Sequence, residues 1–318
     1  MDIHSTLSGR YNLVITKPDG TTSETGWFDN LILDQGLDQI GVTGVVCPWC
    51  QVGTGNTAVL PTQTALTTLL ASRGNAPDQY GFPSEAYSLG PPTYGSVHRF
   101  TYAFPQGTVV GNLAEIGVGW AATGTTLFSR ALITDGGGSP TTITVTAIDQ
   151  LTVYYQLTMV PTTSVVSGSV VLAGNTYNYV SSIANAASYY VGDRYLFLTS
   201  NFWGPYGLST CIYTGNATVT TLPPITGQIS PVNGWTSTGA GPLVAITTLA
   251  YTLGTYYRDG RFTFAVGGAN EAGGIGAIAP SLGNATTPFA QYVFTPAIPK
   301  NNTKTLSLTF RTSWARGT

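Results

Sequence analysis

Apolar and polar positions alternate with a period of two over most of this chain, the pattern of strands that bury one face. Residues 9–16 (Gly-Arg-Tyr-Asn-Leu-Val-Ile-Thr) read as such a strand. Lys17-Pro18-Asp19-Gly20 follows as a turn, because Pro18 presets φ and Gly20 accepts a positive φ. Residues 21–28 then return as the second arm of a hairpin. Two segments switch to the helical period. In 31–40, Leu33, Leu37 and Ile40 share a helical face, Asp29-Asn30 offers an N-cap and Gly41 an end. Gly36 inside that run weighs against the helix. In 61–73, Ala65, Leu66, Leu69 and Leu70 form an apolar side, Thr62 or Thr64 can cap, and Gly74 can close. Two short helices are therefore expected, both before residue 75.

Residues 75–95 are rich in Pro and Gly and carry Tyr80, Phe82, Tyr87 and Tyr94, which predicts a long ordered loop rather than a linker. From residue 96 onward, short runs of Val, Ile, Thr, Tyr and Phe alternate with turn residues every ~8–12 positions, the spacing of a sandwich or barrel. Residues 141–147 and 151–160 are expected to pair as a hairpin. One stretch occurs twice. Arg99-Phe100-Thr101-Tyr102-Ala103-Phe104 returns as Arg261-Phe262-Thr263-Phe264-Ala265-Val266, with four of six positions identical. Glu115-Ile116-Gly117-Val118-Gly119 follows the first copy and Gly274-Ile275-Gly276-Ala277-Ile278 the second. Each copy passes a Phe (Phe128, Phe289) and closes on an alternating strand, 151–157 and 306–314. The expected fold is mainly β: two related antiparallel β-sandwich or barrel-like domains. The first spans residues 1–160, with the hairpin and both helices. The second spans 161–318 and ends in the repeat, with the Pro-, Thr- and Ser-rich segment 161–169 as the boundary.

Composition alters this picture in one respect. Of the 318 residues 42% are hydrophobic, enough for a packed core, but only 8% are charged and the net charge is −2, against roughly 25% charged in an ordinary soluble domain. The surface must be covered by Thr, Ser, Asn, Gln and Gly, which leaves little charge repulsion between copies. There is no basic footprint for nucleic acid and no polybasic membrane patch. No apolar run reaches the ~18 residues of a membrane span, and residues 1–6 do not read as a signal peptide.

Candidate chemistry is sparse. Cys47-Pro48-Trp49-Cys50 is a C-x-x-C, but a Gly-rich coil follows it where redox chemistry needs a helix, and it supplies two of the four ligands zinc requires. Structural thiols are the expectation, with Cys47 and Cys50 as weak metal candidates. His98 lacks a Ser/His/Asp spacing, so no catalytic residue is assigned. Glu115 and Glu271 fall in different modules. Gly53-Thr54-Gly55-Asn56-Thr57 lacks the Lys-Ser/Thr of a phosphate loop. No cofactor is expected. Trp203, Tyr206, Tyr256 and Tyr257 are candidate contact residues, because Tyr and Trp anchor protein interfaces and can stack on sugars.

The segment Gly26-Trp27-Phe28-Asp29-Asn30-Leu31-Ile32-Leu33-Asp34-Gln35-Gly36-Leu37-Asp38-Gln39-Ile40 resembles the start of virion structural proteins of tailed bacteriophages. The Val52-Gly53-Thr54-Gly55 loop running into Pro61-Thr62-Gln63-Thr64-Ala65-Leu66 is similar to the same group, as are Glu115–Trp120, 127–133 and the ending from Pro299 to Phe310. The resemblance covers about residues 9–160 and, more loosely, the last ~65. It implies a non-enzymatic virion component present in several copies, whose partners are itself and other virion proteins, without saying where on the particle; the tail, baseplate or neck is the expected place. A receptor- or glycan-binding appendage and a capsid decoration protein are the alternatives.

Overall fold

The computed structural model describes residues 2–75, 84–91, 93–135, 137–184, 208–227, 229–230, 233–238, 244–282 and 290–317. In chain order the first elements are β1 (Asp2–Thr16), β2 (Thr22–Glu24), β3 (Phe28–Asp29), β4 (Leu31–Ile32), α1 (Asp34–Val42), β5 (Trp49–Gly53) and β6 (Leu69–Gly74). There follow β7 (Glu85–Leu89), β8 (Gly95–Phe104), β9 (Gly111–Leu113), β10 (Glu115–Gly119), β11 (Leu127–Leu132), β12 (Ile143–Val145) and β13 (Gln150–Pro161). The later part holds β14 (Val166–Leu172), β15 (Asn175–Ile183), β16 (Leu208–Asn216), β17 (Trp235–Thr238) and β18 (Val244–Thr248). It closes with β19 (Tyr257–Phe264), β20 (Ile275–Leu282), β21 (Ala290–Ile298) and β22 (Leu306–Arg316). The protein is mainly β.

The opening hairpin forms at the expected turn, but its second arm, expected over 21–28, is broken into β2 and β3. β1 pairs with β2 from Val14↔Glu24 to Thr16↔Thr22, and Gly20 sits at φ 84°. α1 corrects the expected helix. It begins at Asp34 rather than after Asp29-Asn30, because Leu31-Ile32 is held as a strand against β11. It also runs through Gly41 to Val42. Its N-cap, Leu33, makes no side-chain cap; the entry is fixed by packing, with Leu33, Leu37 and Ile40 all buried.

The second expected helix, 61–73, does not form, and α1 is the one α-helix among the described residues. Residues 54–68 are irregular and 69–74 is the strand β6, paired with β5. Thr62, Thr64, Thr67 and Thr68 weaken helix propensity through their branched Cβ. The decisive influence is distant: the buried Glu115 carboxylate takes the N–H groups of Thr67 and Thr68 that a helix would direct at its own carbonyls. The expected 141–147/151–160 hairpin is also absent. β12 pairs with β9 in a separate two-stranded sheet, while β13 joins the large sheet between β1 and β8. Part of the 75–95 loop is itself a strand, β7, on the edge of that sheet.

Three larger sheets result. The large one runs β18-β19-β22-β1-β13-β8-β7, the second β4-β11-β10-β5-β6, and the third β14-β15-β21-β20-β16-β17. One pairing plan runs twice. β5 pairs with β6 and β10, β10 with β11, and β8 with β7 and β13. Later, β16 pairs with β17 and β20, β20 with β21, and β19 with β18 and β22. The repeated hexapeptides lie on β8 and β19, which hold equivalent places. Both bury their aromatics: Phe100, Tyr102 and Phe104 on one, Phe262 and Phe264 on the other.

Outward from β1 the large sheet reads β13-β8-β7 on one side and β22-β19-β18 on the other. β1 is antiparallel to β13 and parallel to β22, so the two flanks run in opposite senses. That is the relation produced by a two-fold axis normal to the sheet near β1. It keeps the same face inward on both flanks. The segment 161–169 lies where the chain leaves the large sheet for β14, but β18, β19 and β22 return to that sheet.

Candidate functional site

Polar chemistry is concentrated in four places, which the sheet plan sets. The first is a buried ion pair. Glu115 opens β10 and Arg130 lies on β11, and both side chains are fully buried. Arg130 donates from Nε (2.9 Å) and Nη2 (2.6 Å) to Glu115 Oε2. The N–H groups of Gly55, Thr67 and Thr68 also donate to this carboxylate, at 3.0, 3.0 and 2.7 Å. Arg130 reaches on to Gln63 Oε1 (2.7 Å) and the Thr57 carbonyl (3.0 Å). The pair therefore shapes the whole loop between β5 and β6. The equivalent loop of the later copy, between β16 and β17, is held by Gln291 of β21, whose Nε2 donates to the Pro223 carbonyl at 2.9 Å. Glu271 accepts from the Thr214 and Thr236 hydroxyls instead. The two carboxylates thus serve separate sheets.

The second is the thiol pair. Cys47 and Cys50 are reduced and buried in the main core. Burial pushes both thiols well above their ordinary range, and the neighbouring Cys50 thiol adds to the effect at Cys47. The Cys47 carbonyl accepts the Tyr102 hydroxyl at 2.5 Å. Among the described residues no group of three or more His, Cys, Asp or Glu side chains converges as a metal site. A protonated, enclosed thiol is a poor nucleophile, and these two act as apolar core residues.

The third is histidine. His98 is buried on β8 against Ser96 Oγ (3.2 Å), and burial lowers its pKa to about 4. His4 lies on β1. Its Nδ1 lies 2.9 Å from Ser313 Oγ, which also donates to the Asp2 carboxylate at 3.0 Å. Here Ser313 bridges the histidine and the acid. A hydrolytic triad needs the histidine in the middle, so the group does not activate a nucleophile. The parallel pairing of β1 with β22 creates it, and nothing local in the sequence announces it.

The fourth comprises the aromatics. Trp203 and Tyr206 lie outside the described residues. Tyr256 is half-buried in the left-handed region at φ 52°; its N–H donates to the Tyr251 hydroxyl and its carbonyl accepts the Trp314 N–H. Tyr251 in turn donates to Asp38 Oδ1 at 2.6 Å, Trp314 Nε1 to the Leu37 carbonyl at 2.8 Å, Arg258 to the Gly41 carbonyl and Arg316 to Asp34. Residues 34, 37, 38 and 41 are one helical face, so α1 is gripped by the later half of the chain.

Tyr257 is partly exposed on the outer face of the large sheet, with the Arg311 guanidinium 3.4 Å from its ring centre and paired to Asp259. Across β1 the outer face carries a row of facing residues: Glu85, Arg99, Gln156, Arg10 and Asp29. Trp27, 37% exposed, covers both Arg10 (4.7 Å) and Arg99 (5.5 Å). Trp27 was quoted in the resemblance but not recognised as a surface aromatic, because its arginine partners are remote in sequence.

Comparison with protein families, with known proteins and with solved structures returns no match. No helix among the described residues is long and apolar enough to cross a membrane.

Proposed function

We propose that this chain is a structural component of a tailed-bacteriophage virion, present in several copies in the tail, baseplate or neck. In this reading each copy of the strand plan forms a β-sandwich-like unit, and assembly proceeds through uncharged β surfaces. The observation that carries it is the doubled plan around a shared sheet in a chain with only 8% charged residues. Paired units around a pseudo-two-fold present two similar surfaces to neighbours, and low charge removes the usual barrier to self-contact. The polar clusters support the same reading. The ion pair, the thiols and His98 are enclosed and spent on shaping loops or filling the core.

Light scattering of the purified chain and mass spectrometry of purified particles test the proposal. Oligomers and incorporation into particles are expected. A chain that stays monomeric at high concentration and is missing from particles would sink it. A second reading, a receptor- or glycan-binding appendage, is favoured by the exposed ring of Trp27 and the partly exposed ring of Tyr257, each set against an arginine. Trp27→Ala and Tyr257→Ala would then abolish host adsorption while particles still assemble. Unchanged adsorption leaves those rings with a structural part only.

A further inference from the structure

Among the described residues β14 pairs with β15 alone and forms one edge of the third sheet. Natural sheets blunt such edges with charge, Pro, bulges or brevity. β14 uses none of these. It is seven residues long (Val-Ser-Gly-Ser-Val-Val-Leu) and runs in unbroken register with β15. No charged residue occurs between Asp149 and Asp193. Val165, Val166 and Val171 are 61%, 42% and 64% exposed. Of the other edges, β4 has two residues, β6 carries Arg73 and β7 carries Glu85, while β17 and β18 are uncharged but shorter, at four and five residues.

We propose that β14 is a self-pairing edge, whose occupant is β14 of a second copy of this chain, antiparallel about a two-fold axis at Ser169. The backbone sets that centre. The turn joining β14 to β15 has two residues, Ala173 and Gly174, both at positive φ (48° and 81°). In a two-residue turn of this kind the flanking pair, here Leu172 and Asn175, is hydrogen-bonded, and the bonding alternates from there. Val170, Gly168 and Val166 therefore turn their N–H and C=O toward β15. Ser167, Ser169 and Val171 turn theirs to the open edge. A two-fold at Ser169 sets Ser169 opposite its copy and Ser167 opposite Val171, which satisfies about six backbone groups on each strand. It also sets Val166 beside Leu172 and joins two six-stranded sheets into one.

A second copy fits better than an unrelated charged strand. The uncharged run has no charge with which to select a charged partner, and it meets no repulsion from itself. This inference deepens the multi-copy reading above and rests on it.

Charge placed at Ser169 tests the proposal. Ser169 is exposed and its backbone groups point away from β15, so neither Ser169→Lys nor Ser169→Glu disturbs the monomer fold, which circular dichroism and the unfolding midpoint would verify. Each variant alone sets like charges directly opposite one another and should raise the self-association Kd by about tenfold or more. An equimolar mixture of the two should restore association as a Lys/Glu pair. Ser169→Pro, which removes only an outward N–H, should weaken association in the same way without rescue by mixing. If the parent chain assembles and all three variants assemble equally well, the edge assignment fails while the multi-copy reading stands. If the parent chain is monomeric throughout, both fail.

Discussion

Replacement of Glu115 tests whether the buried pair shapes the loop between β5 and β6. Glu115→Gln preserves volume but removes the charge opposite Arg130, whose side chain is fully buried. Breaking a buried pair by removing one partner costs about 3–5 kcal/mol. The double variant Glu115→Leu/Arg130→Met separates two explanations. Elsewhere, replacing a buried pair by apolar residues is often neutral or stabilising. Here the carboxylate also serves the N–H groups of Gly55, Thr67 and Thr68. Leaving the buried Gly55 N–H without an acceptor costs about 1–3 kcal/mol, and the part-buried N–H groups of Thr67 and Thr68, which water can reach, add less, so the double variant should remain at least ~1 kcal/mol less stable than the parent. Urea unfolding measures the total. Amide hydrogen exchange at Gly55, Thr67 and Thr68 locates it, with protection lost there first. A double variant as stable as the parent, with those amides still protected, would refute the account.

Three further outcomes follow from groups described above. His98 binds a proton near pH 6.5 when unfolded and only near about 4 when folded; stability should therefore fall as pH drops from 6.5 toward 4, by roughly 3 kcal/mol, and His98→Leu should flatten that part of the pH–stability curve relative to the parent. Cys47 and Cys50 should resist iodoacetamide at pH 8 in the native protein and react fully in denaturant, as peptide mapping would show; rapid native labelling of either would contradict its burial. Gly36→Ala should destabilise by about 1–3 kcal/mol, because a Cβ there would overlap the Phe128 carbonyl; a thermal midpoint at or above the parent's would show that the helix can shift.

How legible the molecule was depended on the range of the interactions. The opening hairpin was readable because Pro18 and Gly20 act within four residues. The face of α1 was readable from Leu33, Leu37 and Ile40, but its start was not, since β4 owes its form to pairing with β11. Gly36 argues against a helix by propensity. Its actual cause is a backbone passing too close for a side chain, which no local pattern encodes. Residues 61–73 show the same limit: apolar spacing suggested a helix, while a carboxylate nearly 50 positions later claimed the amides. Of the contact candidates, Tyr257 reaches the surface and Tyr256 mainly links the chain to itself. Trp27 owes its place to Arg10 and Arg99, brought together by sheet order. The rings of that face were thus visible in composition, but not their partners.

One strand has a consequence for how the molecule is made. β1 lies between the two flanks of the large sheet, and its residues Asp2–Leu7 pair with Arg311–Arg316, bridging contacts such as His4 to Ser313 that are 309 positions apart. During synthesis β2 and β3 cover residues 10–16 on one edge of β1 at once and β13 can reach the other edge later, but residues 2–7 of the first edge must wait for β22 to leave the ribosome. Until then a half-finished sheet offers an unpaired strand to any other nascent chain. Closure of such distant contacts is slow, and exposed edges of this kind are where misassembly begins. The large sheet is therefore completed only once β22 has been made, after which the Asp2–Leu7 stretch of β1 is no longer open to a stranger.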